Sequence, residues 1–300
     1  MVFLPRPLVA ANLGAFYRVA LHAKMPVPAA RALLDAGSPL QRLPRDTVVR
    51  ELTLAGRRAE RITVGATERR TAVLYLHGGG YTLGSLATHR SLAAYLARES
   101  EAAVYLLDYR LAPEDPYPAG LEDAVDAYLE LLVEHGYSAD QVAIAGDSAG
   151  GGLSLATTRR LIDAHDVRPA ALGLIAPWVD PGARDAPKDR DLVVNTAWSF
   201  VAAEAYLGGG DPADPGFAPL HADMAGLPPT IVHVGTSEVL YPQVTELVQK
   251  MRAADVTVRF TEYPNLWHVA HLQASILREA NDAVRELGGF LREALERTEV

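Results

Sequence analysis

A serine flanked by glycines stands directly after a short apolar run. The run at residues 142–145 leads into the motif Gly-Asp-Ser-Ala-Gly at 146–150, and a stretch with helical spacing follows. A G-x-S-x-G motif between a strand and a helix presents its serine hydroxyl on a tight turn. Ser148 is therefore the candidate nucleophile. The competing interpretation is a glycine-rich turn that merely begins a helix, because the motif alone often occurs by chance.

A glycine run supplies candidate donors for an oxyanion. The segment His-Gly-Gly-Gly-Tyr at 77–81 follows the apolar run at 72–76. We predict an oxyanion hole built from the N–H groups of Gly78, Gly79, Gly80 and Ala149, and removing one such donor typically costs about 3–4 kcal/mol of transition-state stabilisation. His77 is then structural. A phosphate-binding loop is the alternative, but the segment lacks the lysine and the Ser/Thr of a P-loop and the spacing of a dinucleotide fingerprint.

A serine nucleophile needs a general base and a group that orients the base. His268 lies between a strand predicted at 256–262 and the last helical stretch, whereas His271 is expected to be helical already. Glu238 is the only acidic residue in the turn after the strand predicted at 230–234. Alone, Glu238 could be an exposed charge near a helix start. The chain order serine, acid, histidine favours Ser148, Glu238 and His268 as a catalytic triad.

The elements that must position these residues alternate along the chain. Apolar runs stand at 72–76, 103–107, 142–145, 170–176 and 230–234, and helical spacing occurs at 88–99, 119–135, 148–164, 241–254 and 270–297. Uninterrupted apolar strands are typical of a parallel sheet covered on both faces. Two half-exposed strands at 48–52 and 59–64 have no helix between them, so we expect them to form an antiparallel edge. The fold class predicted is α/β.

Two segments interrupt this alternation. Residues 1–45 are helical in pattern and divided by prolines, and residues 180–219 are rich in Pro, Gly and Asp. Long insertions in compact domains are often lids or binding loops. We therefore predict N-terminal cap helices at 1–45 and a catalytic domain at 46–300 that contains a cap insertion at 180–219. Large apolar residues near these segments are candidate pocket walls, although each could equally be ordinary core: Tyr81, Leu83, Trp178, Trp198, Phe200, Tyr206 and Phe217.

Composition excludes several function classes. The chain has 28 Lys and Arg against 37 Asp and Glu, a formal charge of −9, which disfavours nucleic acid and anionic membranes. It has no cysteine, so disulfides, thiolate catalysis and cysteine metal sites are excluded. No apolar run has the length of a membrane span. Residues 8–23 resemble a signal peptide only weakly and are better explained as an amphipathic helix, so we expect a cytoplasmic protein without stable membrane association.

Three motifs in order resemble the hormone-sensitive-lipase-like esterases of the α/β-hydrolase superfamily. They are the glycine run at 77–81, the segment Asp-Tyr-Arg-Leu-Ala-Pro-Glu at 108–114, and the serine motif at 146–151. The resemblance covers nearly all of residues 70–275. It implies an eight-stranded sheet, the triad above, a cap and a homodimer through the last strand and helix. Glu238 stands where most members have Asp, and Asn265 replaces a usual glycine before the histidine.

The predicted activity is hydrolysis of small-molecule carboxylic esters through an acyl-enzyme on Ser148, without a metal or cofactor. Short to medium acyl groups are expected, and lactones or acetyl esters belong to the same class. Amide or formamide hydrolysis and N-deacetylation of a small metabolite remain alternatives, since the fold hosts many chemistries. A ligand-binding protein that uses this fold without catalysis is a further alternative, which the complete triad disfavours.

Overall fold

Eight strands form a single sheet in the computed structural model, which describes residues 3–66, 68–184 and 189–296. They are β1 Thr47–Leu54, β2 Arg57–Val64, β3 Ala72–Leu76, β4 Ala103–Leu107, β5 Val142–Asp147, β6 Leu172–Ile175, β7 Thr230–Gly235 and β8 Val258–Tyr263. Their order across the sheet is β1-β2-β4-β3-β5-β6-β7-β8. β1 pairs antiparallel with β2, and β2 with β4; the other pairs are parallel. The predicted α/β fold with an antiparallel edge is confirmed.

Helices cover both faces of this sheet. They are α1 Arg6–Ala20, α2 Val27–Gly37, α3 Leu86–Ser100, α4 Ala119–Val133, α5 Ala149–His165, α6 Thr196–Leu207, α7 Tyr241–Ala253 and α8 Arg278–Glu296. α3 and α8 pack on one face, while α4, α5 and α7 pack on the other. Every residue of β3, β4 and β5 is buried. This double burial explains why their sequences are uninterrupted apolar runs.

Two predicted segments differ in detail from the structure. The stretch predicted as helical at 270–297 begins with a separate 3₁₀ turn, Ala270–Gln273, and α8 starts only at Arg278. The predicted insertion at 180–219 contains α6, which the sequence pattern did not indicate. Residues 1–2 and 185–188 of the predicted caps, and residues 67 and 297–300 of the predicted catalytic domain, lie outside the described residues. Of the helices described, none is both long enough and apolar enough to cross a membrane.

Candidate active site

Ser148 occupies a strained turn between β5 and α5. Its backbone has φ 52° and ψ −121°, in a region that L-residues rarely adopt. Two hydrogen bonds hold it: the Ser148 N–H donates to the Ile175 carbonyl and the Trp178 N–H donates to the Ser148 carbonyl, both at 2.8 Å. A Cβ at Gly150 would lie 2.0 Å from the Leu76 carbonyl oxygen, so only glycine permits this approach of helix and strand.

The three predicted triad residues lie in one hydrogen-bonded chain. His268 Nε2 is 2.9 Å from Ser148 Oγ, and His268 Nδ1 is 2.6 Å from Glu238 Oε2. The other carboxylate oxygen, Glu238 Oε1, accepts the Gly235 N–H at 2.6 Å. His268 and Glu238 are both buried. The arrangement can pass the serine proton to His268 while Glu238 holds the ring in orientation.

Burial and pairing shift the pKa values of His268 and Glu238 in opposite directions. Burial is the largest influence on the pKa of His268 and lowers it, but the charge and hydrogen bond of Glu238, together with the charges of Asp191 and Asp147, outweigh burial, and the net pKa lies above the ordinary value of 6.5. Burial raises the pKa of Glu238, and the hydrogen bond to His268 opposes that rise without cancelling it. A histidine stabilised in its charged form is suited to accept the serine proton as it is released.

The glycine run lies beside Ser148, and two of its three backbone N–H groups are available as hydrogen-bond donors to a substrate. The Gly78 N–H donates to Asp147 Oδ1 at 3.1 Å and is therefore committed. Gly79 and Gly80 have φ of 122° and 62°, and their N–H groups, like that of Ala149, meet no acceptor within residues 3–66, 68–184 and 189–296. These three amides can stabilise an oxyanion.

Asp147 and His77 support the glycine run. Asp147 also accepts a hydrogen bond from the Tyr75 hydroxyl at 2.9 Å and lies 3.3 Å from His89 Nε2. Burial, followed by the charge of His89, lowers the pKa of His77 to about 3. The His77 ring stacks on Tyr109 with centroids 4.5 Å apart. A neutral, stacked imidazole agrees with the structural role expected for His77.

An apolar cavity of about 520 Å³ opens onto Ser148 and His268. Its far wall comes from α1 and α2, which contribute Val9, Leu13 and Leu34, and from the insertion, which contributes Val193 and Val194. The two segments predicted as caps therefore both line the cavity that contains the triad. Among the described residues there is no group of three or more His, Asp or Glu side chains placed to hold a metal ion.

The seven predicted wall residues divide into three groups. Leu83 and Trp198 line the cavity. Trp178 and Phe200 border a separate pocket of about 190 Å³. The remaining three lie in the core as a stack, with ring centroids 3.7 Å apart for Tyr81–Tyr206 and 5.4 Å for Tyr206–Phe217. These three rings are buried in the stack and do not line the cavity, and aromatic pairs of this kind stabilise the core beyond the burial of their surface.

Sequence reasoning missed the aliphatic and aromatic wall on α1. Val9, Leu13, Phe16 and Tyr17 all line the cavity. Their spacing is that of one face of a helix, and this signal was present in the sequence. The sequence indicated an amphipathic helix within a cap, without indicating which of its residues would line the cavity.

Comparisons with known proteins show the family to which the chain belongs. The family model of the alpha/beta hydrolase fold matches residues 73–272. The chain belongs to the α/β-hydrolase family. An acetyl-hydrolase from Streptomyces hygroscopicus is 43% identical over 226 residues, which cover 74% of this chain and 75% of that protein. An esterase from Acinetobacter venetianus is 34% identical over 247 residues, 81% of each chain.

Solved structures place this α/β-hydrolase more narrowly. An esterase from the bacterial hormone-sensitive lipase family superimposes with a TM-score of 0.89 at 35% identity, covering 98% of this chain and 100% of that one. A hormone-sensitive lipase from a metagenome library gives a TM-score of 0.92 at 31% identity, with coverage of 98% and 100%. The predicted resemblance to hormone-sensitive-lipase-like enzymes and the predicted carboxylesterase class are confirmed.

Proposed function

We propose that this α/β-hydrolase cleaves small-molecule carboxylic esters with Ser148 as nucleophile, His268 as general base and Glu238 as the orienting acid. The observation that carries the proposal is the unbroken chain from Glu238 through His268 to Ser148, which ends in the apolar cavity. A hydrogen-bonded chain of this kind is the geometric signature of nucleophilic serine catalysis.

Acylation begins when Ser148 Oγ attacks the ester carbonyl carbon and its proton passes to His268 Nε2. The carbonyl π electrons move to oxygen, and the N–H groups of Gly79, Gly80 and Ala149 stabilise the resulting oxyanion. Collapse of the intermediate breaks the bond to the alcohol oxygen. That oxygen takes the proton from His268 and leaves as the alcohol.

Deacylation repeats the sequence with water. His268 removes a proton from water, which attacks the acyl-enzyme carbonyl, and the same three amides stabilise the second oxyanion. Collapse returns the proton to Ser148 Oγ and releases the acid. Glu238 stays ionised and stabilises the imidazolium in both halves.

The cavity supports substrates with short to medium acyl groups. Its volume of about 520 Å³ lies within the range of small-molecule sites, and its walls are mainly aliphatic. Acetyl esters and lactones would fit the same space.

The absence of cysteine supports a cytoplasmic location. The family resemblance supports a homodimer through β8 and α8.

The first experiment is hydrolysis of p-nitrophenyl esters over a series of acyl lengths. Ser148→Ala should lower turnover by roughly 10⁴-fold or more. Ser154→Ala is the matched control: this serine lies on α5, the helix that follows Ser148, and its hydroxyl donates to the Gly150 carbonyl at 2.6 Å. We expect it to retain turnover and to fold normally, as Ser148→Ala also should.

Labelling with a fluorophosphonate completes this test. Wild type should be labelled at Ser148 and Ser148→Ala should not. Retained turnover in Ser148→Ala would overturn the mechanism. A wild type that neither hydrolyses any ester nor reacts with the fluorophosphonate would overturn the proposal and favour the ligand-binding alternative.

A further inference from the structure

The carboxylate of Asp191 receives three backbone N–H groups from two separate parts of the chain. Its Oδ1 accepts the N–H of Val193 at 2.8 Å and of Val194 at 2.7 Å. Its Oδ2 accepts the N–H of Val239 at 2.9 Å. Val193 and Val194 belong to the insertion, whereas Val239 is the residue after Glu238.

Only a carboxylate satisfies this set of partners. All three are donors, and they approach both oxygens, so each oxygen must accept. An asparagine offers one accepting oxygen and one donating NH₂ group, so it can serve one side only. The side chain is half-buried, which increases the cost of leaving an N–H without an acceptor.

The hydrogen bond to Val239 fixes the turn that carries Glu238. The Glu238 N–H donates to the Gly235 carbonyl at 3.1 Å, and the Gly235 N–H donates back to Glu238 Oε1 at 2.6 Å. These bonds hold the start of the turn. The peptide that links Glu238 to Val239 is held at its N–H by Asp191 and at its carbonyl by the Tyr241 N–H, which donates to it at 3.4 Å. That peptide sets the direction in which the Glu238 side chain leaves the backbone.

The hydrogen bonds to Val193 and Val194 fix a wall of the cavity. Both valines line it, and the Asp191 N–H closes the turn by donating to the Val194 carbonyl at 3.0 Å. The next residue ties the same segment to the end of α1, because Asn195 Nδ2 donates to the Leu21 carbonyl at 2.7 Å. The Asp191 carboxylate therefore connects the Val193–Val194 wall of the cavity to the turn that carries Glu238.

We propose that Asp191 is a positioning residue that holds Glu238 in line with His268 and couples this alignment to the Val193–Val194 wall of the cavity. The proposal rests on the proposed function, since it assigns a partner to the same triad. Asp191 touches neither substrate nor the reacting atoms, so its effect must pass through Glu238 and through the wall.

The charge of Asp191 allows a test by the acid limb of kcat/KM, which a purely structural role of this residue would leave unchanged. The negative groups that face His268 are Glu238 on the turn after β7, Asp147 at the end of β5, and Asp191. After the larger contribution of Glu238, Asp191 also helps to raise the pKa of His268, and it raises the pKa of Glu238. His271, on the same loop as His268, is held neutral by burial and by the adjacent His233.

The variants are Asp191→Asn, Asp191→Ala and Asp191→Glu, with Asp189→Asn as the matched control. Asp189 lies in the same segment and is exposed. Asn keeps an accepting oxygen for Val193 and Val194 but presents NH₂ to Val239. We expect kcat to fall roughly tenfold with KM nearly unchanged, because small displacements of catalytic groups cost rates of this order. The acid limb of kcat/KM should move to lower pH.

The other two variants separate geometry from charge. Asp191→Ala also removes the side-chain acceptor of the Val193 and Val194 N–H groups, so KM should rise several-fold in addition to the fall in kcat. Asp191→Glu keeps the charge but displaces the oxygens, so kcat should fall while the acid limb stays near its wild-type pH. Asp189→Asn should match wild type in kcat, KM and acid limb. Circular dichroism and thermal unfolding establish that each variant is folded.

Asp191→Asn with wild-type kcat, or with an acid limb at the wild-type pH, would overturn the proposal. If Asp191→Asn does not fold, Asp191→Glu decides, and wild-type kcat in that variant overturns it. If neither variant folds, Asp191 is a stability residue and the proposal is wrong. Each measurement is made relative to wild-type ester turnover, so failure of the proposed function appears separately, as a wild type without turnover.

Discussion

Glu238 and His268 change each other's proton affinity across a hydrogen bond of 2.6 Å. Because the net pKa of His268 lies above 6.5, wild-type kcat/KM should decline as the pH falls through a midpoint above 6.5. Glu238→Gln removes the charge that raises this pKa, so the midpoint should move to lower pH. The kcat should drop by roughly 10³–10⁴-fold, since a neutral amide does not stabilise the imidazolium.

A pH series of ester hydrolysis measures both effects. Glu246→Gln is the control: this residue lies on α7 and its carboxylate pairs at the surface with Lys250 at 3.1 Å. It should leave the profile unchanged. An acid limb that stays in place in Glu238→Gln would show that Glu238 is not the partner that controls His268.

Gly78, whose N–H donates to Asp147, has no room for a side chain. A Cβ there would lie 2.2 Å from Asp147 Oδ2 and 2.9 Å from the Asp147 carbonyl oxygen. Gly78→Ala should therefore displace the glycine run or Asp147. We expect kcat to fall by at least about tenfold and the free energy of unfolding to fall by about 1–3 kcal/mol. Steady-state kinetics and urea unfolding measure the two losses.

Gly289→Ala is the matched control for Gly78→Ala. It lies on α8, and a Cβ there meets nothing within 4 Å. Alanine favours helix over glycine, so this variant should be neutral or slightly stabilising. Equal kinetics in the two variants would contradict the packing argument.

At the scale of elements, α2 is clamped to the loop that follows the glycine run. Arg31 Nε donates to the Thr82 carbonyl at 2.8 Å, and Arg31 Nη2 donates to the Ala112 carbonyl at 3.0 Å. The same guanidinium pairs with Glu114 at 2.8 Å. Because Glu114 is half exposed, the bonds to the two carbonyls should dominate the contribution to stability.

Arg31→Ala should loosen both the cap and the glycine run. We expect kcat/KM to fall several-fold and the free energy of unfolding to fall by about 1–2 kcal/mol. Arg31→Lys should be nearly as damaging, because one ammonium does not reproduce the fork of donors. Arg18→Ala, on the exposed side of α1, is the control. If Arg31→Ala and Arg18→Ala have the same thermal midpoint and kinetics, the clamp has no role.

The same scale explains which elements the sequence could predict. β3, β4 and β5 were predictable because burial on both faces requires unbroken apolar runs. α6 was not, because its apolar residues surround the helix: Ala202 and Tyr206 are buried while Val201 is 49% exposed. The break before α8 was also missed, since side-chain periodicity carries no information about a 3₁₀ turn in the main chain.

At the scale of the whole molecule, the proximity of the three proposed triad residues was predictable and the shape of the cavity was not. Ser148, Glu238 and His268 follow β5, β7 and β8, and the carboxyl ends of parallel strands meet at one edge of the sheet. The cavity instead depends on contacts between distant segments, such as Asn195 with Leu21. No local pattern in either segment specifies that contact, and none marks Asp191 as a partner of the turn that carries Glu238.

The distribution of buried histidines makes the molecule sensitive to acid. Burial is the largest cause that lowers the pKa of His77 and His233 to about 3 and that of His271 well below 6.5. In the unfolded chain these histidines titrate near 6.5. Above that pH both states are neutral at these sites, and below it the unfolded state binds more protons. The stability that they contribute is therefore full above pH 6.5 and is lost as the pH falls towards 3.

Two groups act against this loss. The raised pKa of His268 contributes stability that is present below pH 6.5 and is lost as the pH rises through its folded pKa. Burial raises the pKa of Glu238, so this carboxylate also binds a proton more readily in the folded state than in the unfolded state. The three buried histidines favour proton uptake by the unfolded state, and His268 and Glu238 favour uptake by the folded state. Because the histidines outnumber the other two groups, the unfolded state should bind more protons between pH 6.5 and 5.

Urea unfolding from pH 7 to pH 5 measures this uptake directly as the slope of the unfolding free energy against pH. His233→Asn retains a polar atom near the position of Nδ1, which lies 3.0 Å from His271 Nε2, but it does not titrate. The slope at the acid end should shrink by up to about 1.4 kcal/mol per pH unit, the value for one proton. His165→Asn, at the exposed end of α5, should leave the slope almost unchanged. Equal slopes in wild type and His233→Asn would mean that His233 takes up its proton at the same pH in the folded and the unfolded state, contrary to the lowered pKa that its burial produces.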